Sequence, residues 1–525
     1  MGASSAHLGW GRRAAVLALA ALTLGVGLGG SGRLTYHEAF VAQAAREMIA
    51  SGDVLTPTVG TRPWLEKPPL AVWLVAAAGR ASGGVGEAAA RFPSAVAAAV
   101  LAAVVAGFAA RRYGPAVGLL AGMVQATTVW AVTRGRLAEA DMLLACLVGG
   151  TLVVFDRLRE ERDADGPAPA TDRVGAWRWA FFAGLGLTSL AKGVGFGAAL
   201  VLAAVALVLL WDRDGRTARR LRFAPGWALA AALALTWPVL AAARNPAAVR
   251  LWFLHVSDRL ATRPEYFTGQ TGWQYGSTLL GQLLPWAPLA LAGAWRSVPR
   301  ALGKDGRGGP DRLLWAWTVG PLALLSLATV KNAHYAIHAL PPCSVWAALG
   351  LTRLGGRLQA RGWTAGQVRR AAWGAFSGLG VTYALGFALL GPWFDRRGGE
   401  WAFYETAGKR LRPGEPVSLL YHVPEWDREP YATPFGPVPH DWAVRLYYLN
   451  RPAPAPCRFG LDELAGESRG FAVIGRESDQ PGLAGLGEVE VVAEGPRLRS
   501  DRTYRLYRVT PRPEIAADEA PGRTR

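Results

Sequence analysis

Long uncharged apolar runs constrain the fold of this chain more than any other feature. A helix needs about 20 predominantly apolar residues to cross the hydrocarbon core of a bilayer. Eleven candidate runs lie in the first 393 of the 525 residues, at about 14–30, 92–109, 114–132, 142–155, 179–191, 194–211, 225–243, 277–294, 313–330, 336–352 and 371–393. The pattern predicts a mainly α, polytopic helical membrane protein with about eleven, and up to thirteen, transmembrane helices.

Arginine is concentrated in alternate loops between these runs, and the formal net charge is +18. The clusters are Arg12-Arg13, Arg111-Arg112, Arg157–Arg178, Arg213–Arg222, Arg296–Arg312 and Arg353–Arg370. Because basic residues are enriched in cytoplasmic loops, we predict a cytoplasmic N-terminus, with the remaining loops and everything after Trp393 outside. A cleaved signal peptide is the alternative for the first run, and it gives the same sidedness. Charge spread over short loops argues against a nucleic-acid-binding face.

The stretch from Arg33 to Leu74 is the longest non-apolar interval in the first quarter of the chain and lies in the predicted outer loop 33–91. Paired apolar residues between Phe40 and Ile49 predict an amphipathic helix. Such a helix would lie in the membrane interface. Four prolines then predict an extended segment before a second helix near Leu70.

Other predicted outer segments also carry polar side chains. Glu139 and Asp141 lie at the mouth of the fourth run, and Lys192 lies in a glycine-rich turn that lacks the features of a phosphate loop. Together with Lys67 and Arg259, the Lys192 ammonium group is a candidate for neutralising phosphate oxygens.

Carboxylates of Glu38, Glu139 and Asp141 are candidates for taking a proton from an acceptor hydroxyl or amine. A phosphate leaves as a stabilised anion, so cations that hold it reduce the need for a general acid. The combination suits sugar transfer from a lipid-linked phosphate donor.

Composition changes after residue 393. Short β-rich runs at Val417–His422, Phe471–Arg476, Val489–Glu494 and Thr503–Val509, with a helical segment Ala443–Asn450, predict a small extracytoplasmic α/β domain over 394–510. Residues 511–525 are typical of a disordered tail. Of three cysteines, only Cys457 lies in this region, which excludes an internal disulfide there, and the spacing suggests no metal cluster.

Several motifs resemble those of a known family. In chain order they are H-E-A-x5-A-R-E-M-x3-G-D (His37 to Asp53), L-E-K-P-P-L-x2-W-L (Leu65 to Leu74), A-A-R-F-P-S (Ala89 to Ser94), D-M-L-L from Asp141, L-A-K-G to Gly193, H-x3-R (His255 to Arg259), L-L-P-W to Trp286 and K-N-A-H-Y to Tyr335. The chain thereby resembles membrane glycosyltransferases of the C-type fold, in the group of lipid A aminoarabinose transferase and, more distantly, the protein O-mannosyltransferases. E-K-P-P-L is the most specific of these motifs.

This resemblance implies site residues at matching positions. Lys67 and Arg259, with Tyr335 nearby, would hold the polyprenyl phosphate. Glu66 and His255 would be a pair able to coordinate a divalent cation, the one cofactor that the resemblance suggests. Carried over in the same way, Glu38 and Asp141 would line the sugar and acceptor cavity.

One departure from the family pattern affects the catalytic assignment. The first acidic dyad of the family is usually Asp-Glu, whereas this chain has His37-Glu38. The base would then be His37, Glu38 or Asp141.

The sequence therefore predicts an inverting membrane glycosyltransferase at the outer face of the cytoplasmic membrane. Its donor would be an undecaprenyl-phosphate-type sugar, and its acceptor a lipid, glycan or protein. Two alternatives stay open: a transporter or flippase of lipid-linked sugars, and a degenerate relative that binds the donor without transferring the sugar. A transporter would be expected to carry charges in the middle of its spans, and here the charges lie at the ends.

Overall fold

The structure is a computed structural model of the chain, and it is mainly helical. It describes residues 8–512 except 31, 161–169, 262–272, 304–308, 329–330, 396–398, 421–431, 434–435, 438–439, 451–456, 459, 468 and 497–502. Its helices are α1 Trp10–Gly25, α2 Tyr36–Ser51, α3 Leu70–Ser82, α4 Glu87–Tyr113, α5 Pro115–Thr127, α6 Val129–Gly135, α7 Ala140–Glu160, α8 Ala170–Lys192, α9 Phe196–Asp212, α10 Gly215–Leu221, α11 Ala224–Arg244, α12 Ala247–Ala261, α13 Gln274–Gln282, α14 Ala287–Leu302, α15 Pro310–Ser326, α16 Leu340–Ala360, α17 Ala365–Leu385, α18 Gly391–Asp395, α19 Gly399–Arg410, α20 His440–Leu449 and α21 Gln480–Leu486.

The strands are short in the first part of the chain and longer near its end. They are β1 Thr58–Val59, β2 Arg62–Pro63, β3 Val417–Leu420, β4 Ala432–Thr433, β5 Gly436–Pro437, β6 Cys457–Arg458, β7 Phe471–Arg476, β8 Gly487–Glu494 and β9 Tyr504–Pro511. A 3₁₀ helix spans Ala333–Ala339 before α16, and a π-helical segment Gly386–Leu390 joins α17 to α18.

Within the described residues, three helices are both long enough and apolar enough to cross a membrane. They are Glu87–Tyr113, Ala224–Arg244 and the continuous helix Ala365–Trp393. Helices α5 and α6 meet the same standard only as a pair, which bends by 56°. The predicted count of eleven spans therefore stays a prediction, although a helix occupies at least part of every predicted run.

The helices differ from the predicted runs and loops at two places near the predicted outer side. The run predicted at 114–132 ends early, because α5 stops at Thr127 and α6 turns away after it. Thr128 caps α6 by accepting a bond from the amide of Ala131 at 3.3 Å, so a hydroxyl side chain fixes this break. Helix α12, Ala247–Ala261, lies in the predicted loop 244–276.

Helix α2 begins and ends on strong local signals. Thr35 and Glu38 form a reciprocal capping box: the Thr35 amide donates to the Glu38 carboxylate at 2.9 Å, and the Glu38 amide donates to the Thr35 hydroxyl. Gly52 ends the helix in the left-handed conformation. A two-strand antiparallel hairpin of β1 and β2 follows, and α3 begins at Leu70 as predicted.

The last part of the chain forms a five-stranded mixed sheet in the order β6-β3-β7-β9-β8. Strand β3 runs parallel to β6 and β7, whereas β9 runs antiparallel to β7 and β8. Strand β7 has the predicted bounds Phe471–Arg476, and α20 covers most of the predicted helical segment. The domain boundaries at 394 and 510 stay a prediction, and most of the predicted tail lies outside the described residues.

Helix α20 packs on α2 and covers the polar side of that helix. The Arg46 guanidinium donates to the carbonyl of Tyr447 at 2.8 Å, and its charge lies over the Tyr447 ring. The Tyr448 hydroxyl accepts from the Leu34 amide at 2.8 Å and donates to Glu87 at 2.7 Å. The polar side of the predicted amphipathic helix thus contacts protein.

Candidate active site

The segment that carries Lys67 is oriented by the hairpin before it. The Glu47 carboxylate, on α2, accepts bonds from the Thr58 hydroxyl at 2.7 Å and from the amides of Gly60 at 2.7 Å and Thr61 at 3.3 Å. These bonds tie the turn of the hairpin to α2. Pro68 comes directly after Lys67, and a residue before a proline has few backbone conformations available, so the backbone at Lys67 is restricted.

Glu38 is fully buried and paired with Arg91. The Arg91 Nε donates to Glu38 Oε1 at 2.8 Å, and the two side chains are 3% and 0% exposed. The same Glu38 oxygen accepts from the amide of Ala138 at 3.1 Å, while the other oxygen accepts from Thr35. Glu38 therefore ties α2, α4 and the α6–α7 loop together, and its predicted role as a base stays a prediction.

Asp141 lies at the centre of a cluster to which several of the predicted outer segments contribute a side chain. Its carboxylate forms an ion pair with the Lys192 ammonium group and lies 3.9 Å from Nε2 of His334. The Lys192 Nζ also lies 4.5 Å from the centre of the Tyr335 ring. Three separated parts of the chain, the starts of α7 and of the 3₁₀ helix and the end of α8, thus converge here.

Glu139 lies beside this cluster with a different electrostatic environment. It pairs with Arg134 at 2.8 Å, and its main-chain carbonyl accepts from Ser94. Burial raises the pKa of Glu139, and the Asp141 carboxylate raises it further. Burial acts in the same direction on Asp141, but Lys192, His334 and Lys67 together outweigh it and hold the pKa of Asp141 below its usual value.

The positive charge of Lys67 changes the pKa of side chains in the same cluster. The half-buried Lys67 ammonium group is near enough to shift the pKa of Glu139, Asp141 and His334, in each case downward. Burial, together with Lys192 and other nearby cations, lowers the pKa of His334 to about 3 against the opposing effect of Asp141. His334 is therefore neutral at physiological pH.

The remaining predicted site residues are placed less centrally. His37 is exposed, with its ring centre 4.0 Å from that of Tyr36 and the two ring planes tilted by 35°, and Glu66 is half-buried next to Lys67. The backbone of α12 includes His255 and Arg259, but their side chains lie outside the described part of the structure.

Sequence reasoning missed two arginines that shape the site. The motif A-A-R-F-P-S contains Arg91, yet nothing local shows that its partner is Glu38, 53 positions earlier. Arg134 lies in the predicted outer loop and pairs with Glu139. One signal was available: Thr35-x-x-Glu38 is a capping-box pattern, which indicates a helix start and a structural use of the carboxylate.

Sequence comparisons match this chain to one protein family and to two enzymes of the same name. Residues 66–241, which include Lys67, Asp141 and Lys192, match the model of the dolichyl-phosphate-mannose-protein mannosyltransferase family. The undecaprenyl phosphate-alpha-4-amino-4-deoxy-L-arabinose arabinosyl transferase of Edwardsiella ictaluri is 30% identical over 339 residues, covering 62% of this chain and 57% of that protein. The enzyme of the same name from Aeromonas salmonicida is 26% identical over 316 residues, covering 58% and 53%. The chain thus spans less than two thirds of these curated relatives.

Structural comparison covers nearly the whole chain. The crystal structure of ArnT from Cupriavidus metallidurans bound to undecaprenyl phosphate superposes with a TM-score of 0.73 at 19% identity, covering 94% of this chain and 96% of that one. The chain therefore has the C-type fold of that protein. The resemblance to aminoarabinose transferases and protein mannosyltransferases that the motifs predict is confirmed.

Proposed function

We propose that this protein is an inverting membrane glycosyltransferase that uses a sugar linked to undecaprenyl phosphate. The observation that carries the proposal is the convergence of Lys67, Lys192 and Asp141 from three parts of the chain on one cluster. The matched relatives named for undecaprenyl phosphate support the donor class. The acceptor is a lipid, glycan or protein, and the reaction takes place at the outer face of the cytoplasmic membrane.

Cations in this cluster would hold the donor phosphate. Lys67 would contact the phosphate oxygens together with Lys192, which the phosphate would share with Asp141, and Arg259 and Tyr335 complete the proposed donor site. As the bond from the sugar carbon to the phosphate oxygen breaks, the phosphate takes the electron pair, and nearby ammonium groups stabilise the growing charge.

Asp141 is the proposed base. The acceptor oxygen or nitrogen would bond to the sugar carbon opposite the phosphate while its proton passes to the carboxylate. When the phosphate shares the Lys192 ammonium group, the pKa of Asp141 rises toward its usual value, so donor binding would prepare the base. Glu38 would then serve to position the α6–α7 loop, and exposed His37 would not be needed for proton transfer.

Transfer of radiolabelled sugar from undecaprenyl phosphate tests the donor assignment. Lys67→Ala should lower transfer by about 10²–10³-fold, as removal of an electrostatic stabiliser does elsewhere. Lys409→Ala, which removes an exposed lysine on α19, serves as the matched control and should leave transfer unchanged. Full activity of Lys67→Ala would reject the phosphate role, and binding without transfer by the unmodified protein would indicate a degenerate enzyme.

Three isosteric variants test the base. Asp141→Asn should abolish transfer, whereas Glu139→Gln and Glu38→Gln should retain measurable turnover. If Glu38→Gln instead abolishes turnover while the protein stays folded, then Glu38 is the base and its buried pair with Arg91 must open during the reaction.

A divalent cation is the remaining proposal for the site. Within the described residues, no group of three or more His, Cys, Asp or Glu side chains is arranged to hold a metal ion, so Glu66 would need ligands from elsewhere, His255 among them. A bound cation would add positive charge beside the donor phosphate. Dialysis against a chelator, followed by transfer assays with and without added Mg²⁺, Mn²⁺ or Zn²⁺, tests this requirement.

A further inference from the structure

A separate cavity lies toward the opposite end of helix α7 from Asp141. A cavity of about 250 Å³ is lined by residues from α1, α4, α7 and α8 and by Leu8. Val154, in its wall, is 13 residues further along α7 than Asp141, which corresponds to about 20 Å along a helix axis. The cavity is therefore separate from the proposed donor site.

Most of the residues that line this cavity are apolar. Ala103 and Gly107 lie one helical turn apart on α4, and Val153 and Val154 face them from α7. A methyl group added at Gly107 would meet no atom within 4 Å, which shows that the groove is open at this position. Helix α4 is itself long and apolar enough to span a membrane, so the groove runs along a candidate membrane-spanning helix.

Three arginines close one end of the groove. Arg13, Arg111 and Arg157 belong to three separate clusters that the sequence predicts on one face of the membrane, and the structure brings them to one cavity. The aromatic ring of Trp177 lies beside Arg157, with 5.8 Å between the guanidinium carbon and the ring centre. A Trp side chain with an apolar body and an N–H group is typical of the membrane–water interface.

In the part of the chain that the structure describes, basic side chains outnumber acidic ones at this end of the groove. Arg111 and Arg112 share the carboxylates of Asp156 and Glu160, at distances of 2.5–2.8 Å. Arg157 reaches Glu160 only at 3.9 Å, and in the described part of the chain no carboxylate pairs with exposed Arg13. Among the described residues, these four arginines thus exceed the two carboxylates by two positive charges.

We infer that this cavity binds one anionic phospholipid of the bilayer leaflet on the arginine side. One acyl chain would lie in the groove beside Gly107, and the phosphodiester would bind Arg13 and Arg157, which have the least carboxylate compensation. Basic recesses between transmembrane helices are known to bind anionic head groups in this way. Arginine favours phosphate oxygens through its forked donor geometry.

Native mass spectrometry of the purified full chain in a neutral detergent tests this inference. Dioleoyl phosphatidylglycerol should be retained as one adduct per protein, about tenfold more strongly than dioleoyl phosphatidylcholine. Arg13→Gln combined with Arg157→Gln should remove that preference. Gly107→Leu should remove the adduct itself by filling the groove.

Matched controls lie on helix α17. Arg369→Gln with Arg370→Gln, and separately Gly374→Leu, make the same changes at exposed positions outside the cavity and should preserve lipid retention. Equal retention of the two phospholipids, or unchanged retention in the groove variants, would overturn the inference. Displacement of phosphatidylglycerol by equimolar undecaprenyl phosphate would also overturn it, because the groove would then belong to the donor lipid.

Discussion

Replacing Arg91 by Met should destabilise the protein strongly because it leaves a buried carboxylate without its cation. The Glu38 side chain is fully buried, and Arg91 supplies its ion pair while also bonding the carbonyls of Leu28 and Arg33 at 3.1 and 3.2 Å. Removing one partner of a buried pair typically costs about 3–5 kcal/mol. We expect a loss of that size in the free energy of unfolding, with a loosened α6–α7 loop.

Denaturation in mixed detergent micelles, followed by tryptophan fluorescence, measures this loss. Arg244→Met is the control, because its pair with Asp53 is 57% and 38% exposed and should contribute about 1 kcal/mol or less. Adding Glu38→Gln to Arg91→Met should recover part of the stability, since the buried charge is then gone. If Arg91→Met costs no more than Arg244→Met, the reasoning is wrong.

Other predictions address the hairpin, the histidine and the cluster cation. Gly60→Ala should destabilise the protein more than Gly52→Ala: both glycines have positive φ, but an added carbon at Gly60 would lie 2.2 Å from the Trp442 ring while that at Gly52 meets open space. Thermal unfolding compares the two. His334→Asn should make the free energy of unfolding depend less on pH between about pH 3 and 6.5. The reason is that the pKa of His334 is about 3 in the folded state against 6.5 in the unfolded state, so this histidine makes stability rise as pH rises between these values. Unfolding measured at about pH 4 and pH 6 tests this, and an unchanged difference between the two would show that it is wrong. Lys192→Met should weaken binding of undecaprenyl phosphate by roughly tenfold or more in a direct binding assay, and unaltered affinity would exclude a phosphate contact.

Some helices and strands could be predicted from the residue pattern of their own segment. Strand β7 matches its predicted bounds, and α3 begins at Leu70 after its prolines. Helix α2 extends beyond the predicted Phe40–Ile49 because the Thr35 capping box and Gly52 set its ends, and apolar periodicity does not detect caps.

Long-range pairing could not be predicted in the same way. Asp141 and Lys192 are 51 positions apart, and their ion pair depends on how α7 and α8 pack. The sequence could identify both as polar groups in predicted outer segments, but it could not show which of them neutralise one another. The hydrophilic side of α2 is a similar case, because Arg46 meets Tyr447 only through the tertiary fold.

The contact between Arg46 and Tyr447 also sets an order of events during synthesis. The two residues are 401 positions apart, so α2 leaves the ribosome long before α20 exists. At roughly 5–20 residues per second, the interval is about 20–80 s. Throughout that time the polar side of α2 lacks its native cover, and the nascent chain must hold this segment in an unfinished state until its last quarter has been translated.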